Sequence, residues 1–180
     1  MTSDTAAMQA FRPAAASPAL AASAAVALIA AATVAGAWFF QLVLEIVPCP
    51  LCLEQRYAYY LAIPLGLLTA LAARAGAPRP LLLAGLALLC LAAFANAGLG
   101  AYHSGVEWQF WKGPTDCSGP VVNLGSATDL LSRLDTTKVV RCDEVQWRFL
   151  GLSLAGYNVL ISLLMAAIAA WGFSRTARRA

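Results

Sequence analysis

Pro48-Cys49-Pro50-Leu51-Cys52-Leu53-Glu54-Gln55-Arg56 sets two cysteines three residues apart, with an arginine four residues after the second. Long apolar runs flank this stretch on both sides, so its chemistry takes place at a membrane surface. A Cys-x-x-Cys pair can cycle between dithiol and disulfide, and a helix starting near Leu51 stabilises a thiolate in its first turn. Arg56, at i+4 from Cys52, then shares its face. A guanidinium there can hold the thiolate or bind a polar, electron-accepting ligand beside it. A structural disulfide and a metal half-site compete as readings of the same stretch.

Working outward, the 180 residues are 61% hydrophobic and only 12% charged, too apolar for a soluble domain of this length. The expectation is one integral membrane domain. The net charge of +3 comes from unevenly placed arginines, so it is an orientation signal and no nucleic-acid footprint. Neither a nucleotide-binding glycine loop nor a serine, histidine and acid grouping for hydrolysis is present.

Met1 to about Pro18 has no apolar period and reads as a short cytoplasmic tail. Helix 1 is expected over about 19–44, long enough to cross a bilayer with some tilt. A signal peptide would have a shorter apolar core, about 7–15 residues. Trp38, Phe39 and Phe40 lie where an aromatic belt would sit. Helix 2 is expected over about 53–73, with Pro64 and Gly66 tolerated inside it. Helix 3 follows a turn at 75–80 and runs over about 81–102, and helix 4 over about 147–173. The fold class is thus an all-α membrane protein, a four-transmembrane-helix bundle.

The long polar segment from about 104 to 146 holds Cys117 and Cys142 and is functional by its length alone. Within it Ser126-Ala127-Thr128-Asp129 matches a capping box, followed by Leu130, Leu131 and Leu134 at helical spacing. A short amphipathic helix fits, lying on the membrane surface or packed on the loop's own residues. Arg12, Arg74, Arg79, Arg175, Arg178 and Arg179 fall on one side against Asp4 alone, while the long loop is rich in acids. The positive-inside rule puts both termini in the cytoplasm and both cysteine loops outside.

Cys49, Cys52, Cys117 and Cys142 thus share the non-cytoplasmic face, where disulfides persist. A Cys117–Cys142 bond would close a loop of about 25 residues, stabilising by roughly 3–4 kcal/mol in the chain-entropy account. The Cys-x-x-Cys ring is too small to stabilise much, which favours a redox role. A four-cysteine zinc site lacks a second Cys-x-x-Cys and would face an oxidising compartment, so no metal is expected. Cys90, near the membrane centre, reads as an inert, buried small hydrophobe. His103, the sole histidine, reads from its position as an interfacial side chain satisfied by water. Glu54 reads as a solvated acid at headgroup level.

The order of these features resembles the DsbB family. The resemblance rests on the Cys-x-x-Cys with its arginine, His103 at the end of helix 3, and the two loop cysteines. It is completed by Gln146-Trp147-Arg148-Phe149-Leu150-Gly151-Leu152 entering helix 4. It spans about residues 19–173. It implies a quinone-dependent thiol oxidase of the bacterial inner membrane that reoxidises a periplasmic DsbA-like dithiol oxidase, with ubiquinone or menaquinone as acceptor. By the same resemblance Cys117 is the sulfur attacked by the partner, Cys142 its pair, and Cys49 joins Cys142 as electrons pass between loops. Cys52 is left as the thiolate facing the quinone, Arg56 is the quinone-side cation, and His103 is a second group near the quinone. Two other readings stay open: a vitamin K epoxide reductase-like enzyme, where the Cys-x-x-Cys typically follows the loop cysteines, and a non-enzymatic metal-binding or transport protein.

Overall fold

The computed structural model describes residues 17–114 and 141–178, and its helices start where the chain supplies a cap or a proline. Ser17 accepts the Leu20 N–H at 3.2 Å and Pro18 takes the first helical position, giving α1 over Pro18–Leu42. Cys49 caps α2, Pro50–Arg74, its sulfur accepting the Cys52 N–H at 3.2 Å. Helix α3 covers Arg79–Glu107 and α4 covers Leu154–Arg178. Each of α1, α3 and α4 is long and apolar enough to cross a membrane. The protein is a helical membrane protein. Helix α2 matches α1 and α4 in length but carries Glu54, Gln55 and Arg56 in its first turns and Pro64 inside.

Among the helix ends that differ from the sequence-based expectation, two shape the site. Helix α3 does not stop at Tyr102 but runs on to Glu107. His103 is therefore inside the helix and buried, at 2% exposure, rather than a water-satisfied interfacial side chain. Helix 4 does not begin at Trp147. Residues 148–153 instead form a two-stranded antiparallel hairpin, β1 (Arg148–Phe149) with β2 (Leu152–Ser153), pairing Arg148 with Ser153 and Phe149 with Leu152. Its turn is Leu150-Gly151, with φ of 48° and 82°, the doubly left-handed conformation that two-residue hairpins favour. The expected amphipathic helix at 126–134 and Cys117 lie outside the described residues, as do Asp4, Arg12 and Arg179.

Helix α3 packs along α4, and α1 along α2. Small residues set the approach. A Cβ on Gly66 would lie 2.9 Å from the Ser23 carbonyl oxygen, and one on Gly172 would collide with the Ala22 Cβ; in a membrane, such backbone proximity replaces the hydrophobic drive between helices. The core is built from Val26, Ala30, Tyr59, Leu89, Met165 and Ala169, while Leu28, Leu68, Leu91, Phe94 and Leu164 point outward. Cys90 packs against that core, its sulfur 3.6 Å from the Ala166 carbonyl oxygen.

One buried polar cluster crosses three helices. The Tyr59 hydroxyl donates to Asn158 Oδ1 and lies 3.1 Å from Ser162 Oγ, and Asn96 Nδ2 donates to Asn158 Oδ1 at 3.1 Å and to Ser162 Oγ at 3.0 Å. Asn158→Leu removes one acceptor each from the Tyr59 hydroxyl and the Asn96 amide, leaving Ser162 Oγ as the partner of both. We expect it to lower stability by about 1–2 kcal/mol, read as an earlier thermal unfolding midpoint in detergent; an unchanged midpoint would mean the cluster carries no packing energy.

Candidate functional site

The ends of α1 and α3, the start of α2 and the segment before β1 meet at one end of the bundle. Because a helix repeats every 3.6 residues, α2 presents two adjacent rows there. Leu51, Gln55 and Tyr59 form the buried row, and Cys52 and Arg56 the half-buried row beside it. The i+4 relation of Arg56 to Cys52 thus places both side chains on the wall of the same cavity.

Cys49 and Cys52 are free thiols with their sulfurs 2.7 Å apart. Contact with the Cys52 sulfur, and then burial, push the Cys49 thiol above its ordinary range. Cys142 is disulfide-bonded and buried, in one small cluster with Cys49, Leu51 and Val106. The Cys49 sulfur, the Cys142 sulfur and a ring nitrogen of His103 all lie within 4.8 Å of one another. His103 reaches across from α3, Nε2 lying 3.6 Å from Cys49 Sγ and Nδ1 2.8 Å from Gln55 Nε2.

Arg56 is oriented by the end of α1. Its Nη1 donates to Gln41 Oε1 at 2.7 Å, its Nη2 to the Ala37 carbonyl oxygen at 3.4 Å, and its guanidinium carbon lies 5.7 Å from the centre of the Trp38 ring. A guanidinium has further N–H donors beyond these two. The cavity beside it holds about 600 Å³. Its lining combines apolar residues, among them Ile29, Ala32, Gly36, Phe40 and Ile161, with Cys49, Cys52, Arg56, His103 and Glu107. Trp147 closes one side, edge-on to Phe40 at 5.0 Å and stacked on Phe149 at 5.9 Å. Ser153 donates to Glu107, and Tyr157 donates to the Phe149 carbonyl at 3.0 Å, which ties the hairpin to the helices. Nearer solvent, the hydrogen bonds from Arg141 hold the Asp143 carboxyl below the usual carboxylate range, an exposed pair of little energetic weight.

Among the residues singled out from sequence, Cys49, Cys52, Arg56, His103 and Cys142 come together here, while Cys90 lies away in the core. Glu54 is exposed. Three contributors were not foreseen: Gln55, Gln41 and Glu107. The α2 row at i, i+4 spacing contained the signal for Gln55, whereas Gln41 and Glu107 owe their places to the packing of other helices.

The family model for disulfide bond formation protein DsbB matches residues 20–172. Among curated relatives, the disulfide bond formation protein B of Polaromonas sp. is 28% identical over 152 residues, covering 78% of this chain and 82% of its own. Those of Albidiferax ferrireducens and Verminephrobacter eiseniae are 30% and 33% identical, covering 78% and 79% of this chain and 80% and 81% of theirs. Taken with the helical membrane fold, these matches show that the chain belongs to the DsbB family of disulfide bond formation proteins.

Proposed function

We propose that the protein is a quinone-dependent thiol oxidase of the bacterial inner membrane, which reoxidises a DsbA-like periplasmic dithiol oxidase. In this reading α2 is the fourth crossing of a single membrane domain, the termini are cytoplasmic and the cysteine end is periplasmic. The observation that carries it is the meeting of Cys49 and Cys52 with Arg56 on the wall of an apolar cavity, with Cys142 at exchange distance from Cys49.

The partner's thiolate attacks Cys117, so that the Cys117–Cys142 bond opens and a mixed disulfide forms. A Cys142 thiolate attacks Cys49, and the electron pair of the Cys49–Cys52 bond leaves on Cys52. Helix α2 begins beneath that sulfur, and its N-terminal dipole favours the negative charge. The lining suits a quinone ring, since a flat, largely apolar body would lie against apolar side chains of α1 and α4 while Arg56 would offer donors to a carbonyl oxygen. A bound quinone supplies an acceptor for two electrons and two protons. Arg56 would hold its carbonyl, Cys52 would face the ring, and Trp147 and Phe40 would keep water from that side.

The test is whether purified protein oxidises a dithiol protein only when ubiquinone or menaquinone is supplied; oxidation without quinone, or none with it, would remove this reading. The topology has its own check. After reduction, a membrane-impermeant thiol reagent applied to intact cells should label Cys49, Cys52, Cys117 and Cys142 but not Cys90. Labelling confined to permeabilised cells would reverse the orientation.

A further inference from the structure

The way the His103 ring is held fixes where its proton sits. One Gln55 side-chain atom lies 3.1 Å from the Leu51 carbonyl oxygen and 2.8 Å from His103 Nδ1. A carbonyl oxygen can only accept, so the Gln55 atom between them is the amide NH₂, with one hydrogen for each neighbour. Nδ1 is then an acceptor, and a neutral imidazole that accepts at Nδ1 carries its hydrogen on Nε2. Nε2 is the atom facing Cys49 Sγ, at 3.6 Å. Gln55 and His103 are 5% and 2% exposed, so bulk water does not compete for these positions.

We propose that Gln55 is a positioning residue, whose amide locks His103 as the Nε2–H tautomer and so makes the ring a hydrogen-bond donor to the Cys49 sulfur. Its use, though not its geometry, rests on the thiol-oxidase reading. In that cycle the Cys117 thiolate, its proton already given to water, attacks Cys142. The Cys117–Cys142 bond forms, the Cys49–Cys142 bond breaks, and the electron pair goes to Cys49. Negative charge thereby appears on a buried sulfur beside Cys52, where burial opposes it. Two donors face that atom: the Cys52 backbone N–H at 3.2 Å and the His103 Nε2–H, which it shares with the Cys142 backbone carbonyl. The other tautomer would turn a lone pair toward the same charge.

The chain has one histidine, so ¹⁵N-histidine labelling of the full-length protein in detergent gives a single pair of ring signals. The wild-type spectrum should show hydrogen on Nε2 and a bare Nδ1. In Gln55→Glu, whose carboxylate only accepts, hydrogen should appear on Nδ1. In a Cys52→Ala background, alkylation of Cys49 should slow about tenfold on Gln55→Leu, the loss of one hydrogen bond to a charged atom. Hydrogen on Nδ1 in the wild type overturns the proposal, and so does an unchanged Cys49 alkylation rate in a folded Gln55→Leu protein. Wild-type protein with hydrogen on Nε2 but without quinone-dependent dithiol oxidation would count against the oxidase reading alone and leave the tautomer assignment standing.

Discussion

Cys52→Ser is expected to reduce turnover to background with a dithiol protein and with a small dithiol alike. Cys117→Ser is expected to abolish only the first. In the proposed cycle, loss of Cys117 leaves the partner protein no sulfur with which to form a mixed disulfide, yet a small dithiol can still reduce the Cys49–Cys52 pair directly. Without Cys52 that pair has no second sulfur, and the half-buried thiol on the cavity wall is gone. The sulfurs of Cys49 and Cys52, 2.7 Å apart, leave little room for another residue to stand in. Oxygen consumption or quinone bleaching with each substrate reads both variants. Equal small-dithiol activity in the two would end this division of labour.

Arg56→Lys should raise the apparent quinone KM about tenfold, the worth of one charge-assisted hydrogen bond, with a smaller effect on the maximal rate. Arg56→Ala should impair both. Lysine keeps the charge but not the planar fork, which here is held by Gln41 and the Ala37 carbonyl so that its remaining donors are preset. Charge in a membrane helix is costly and usually functional. An arginine that merely anchored α2 among headgroups would be replaced by lysine without penalty. Steady-state assays at varied quinone with saturating partner separate the two, and wild-type quinone kinetics in a folded Arg56→Lys protein would move the quinone site elsewhere.

Much of this arrangement was legible in the sequence because membrane helices are written in composition, and a run such as Ala19 to Leu44 has few other physical solutions. The Cys52 and Arg56 row was legible because helical spacing is local. Helix ends were less so. His103 and Ser104 look like the start of a loop, but burial against α2 carries α3 on to Glu107. Trp147 to Leu150 looks like the start of a helix, and only the left-handed turn at Leu150-Gly151 diverts it into a hairpin. Helical spacing sets Gln55 on the buried row of α2, but its pairing with His103 could not be read, since that partner is 48 residues distant in sequence and no periodicity links them. Long-range hydrogen bonds of this kind emerge from packing.

The Cys49 sulfur also terminates α2, accepting the N–H of Cys52 as the helix cap. Oxygen caps of this kind contribute about 0.5–2 kcal/mol, and a sulfur cap acts by the same geometry. Every change of covalent partner at Cys49 is therefore felt by the first turn of the helix that bears Cys52 and Arg56. In the proposed cycle the backbone amides of Leu51 to Leu53 would be a built-in gauge, loosening and tightening as the sulfur turns between Cys52 and Cys142. Their rates of hydrogen exchange would follow the oxidation state of the protein with no reporter attached.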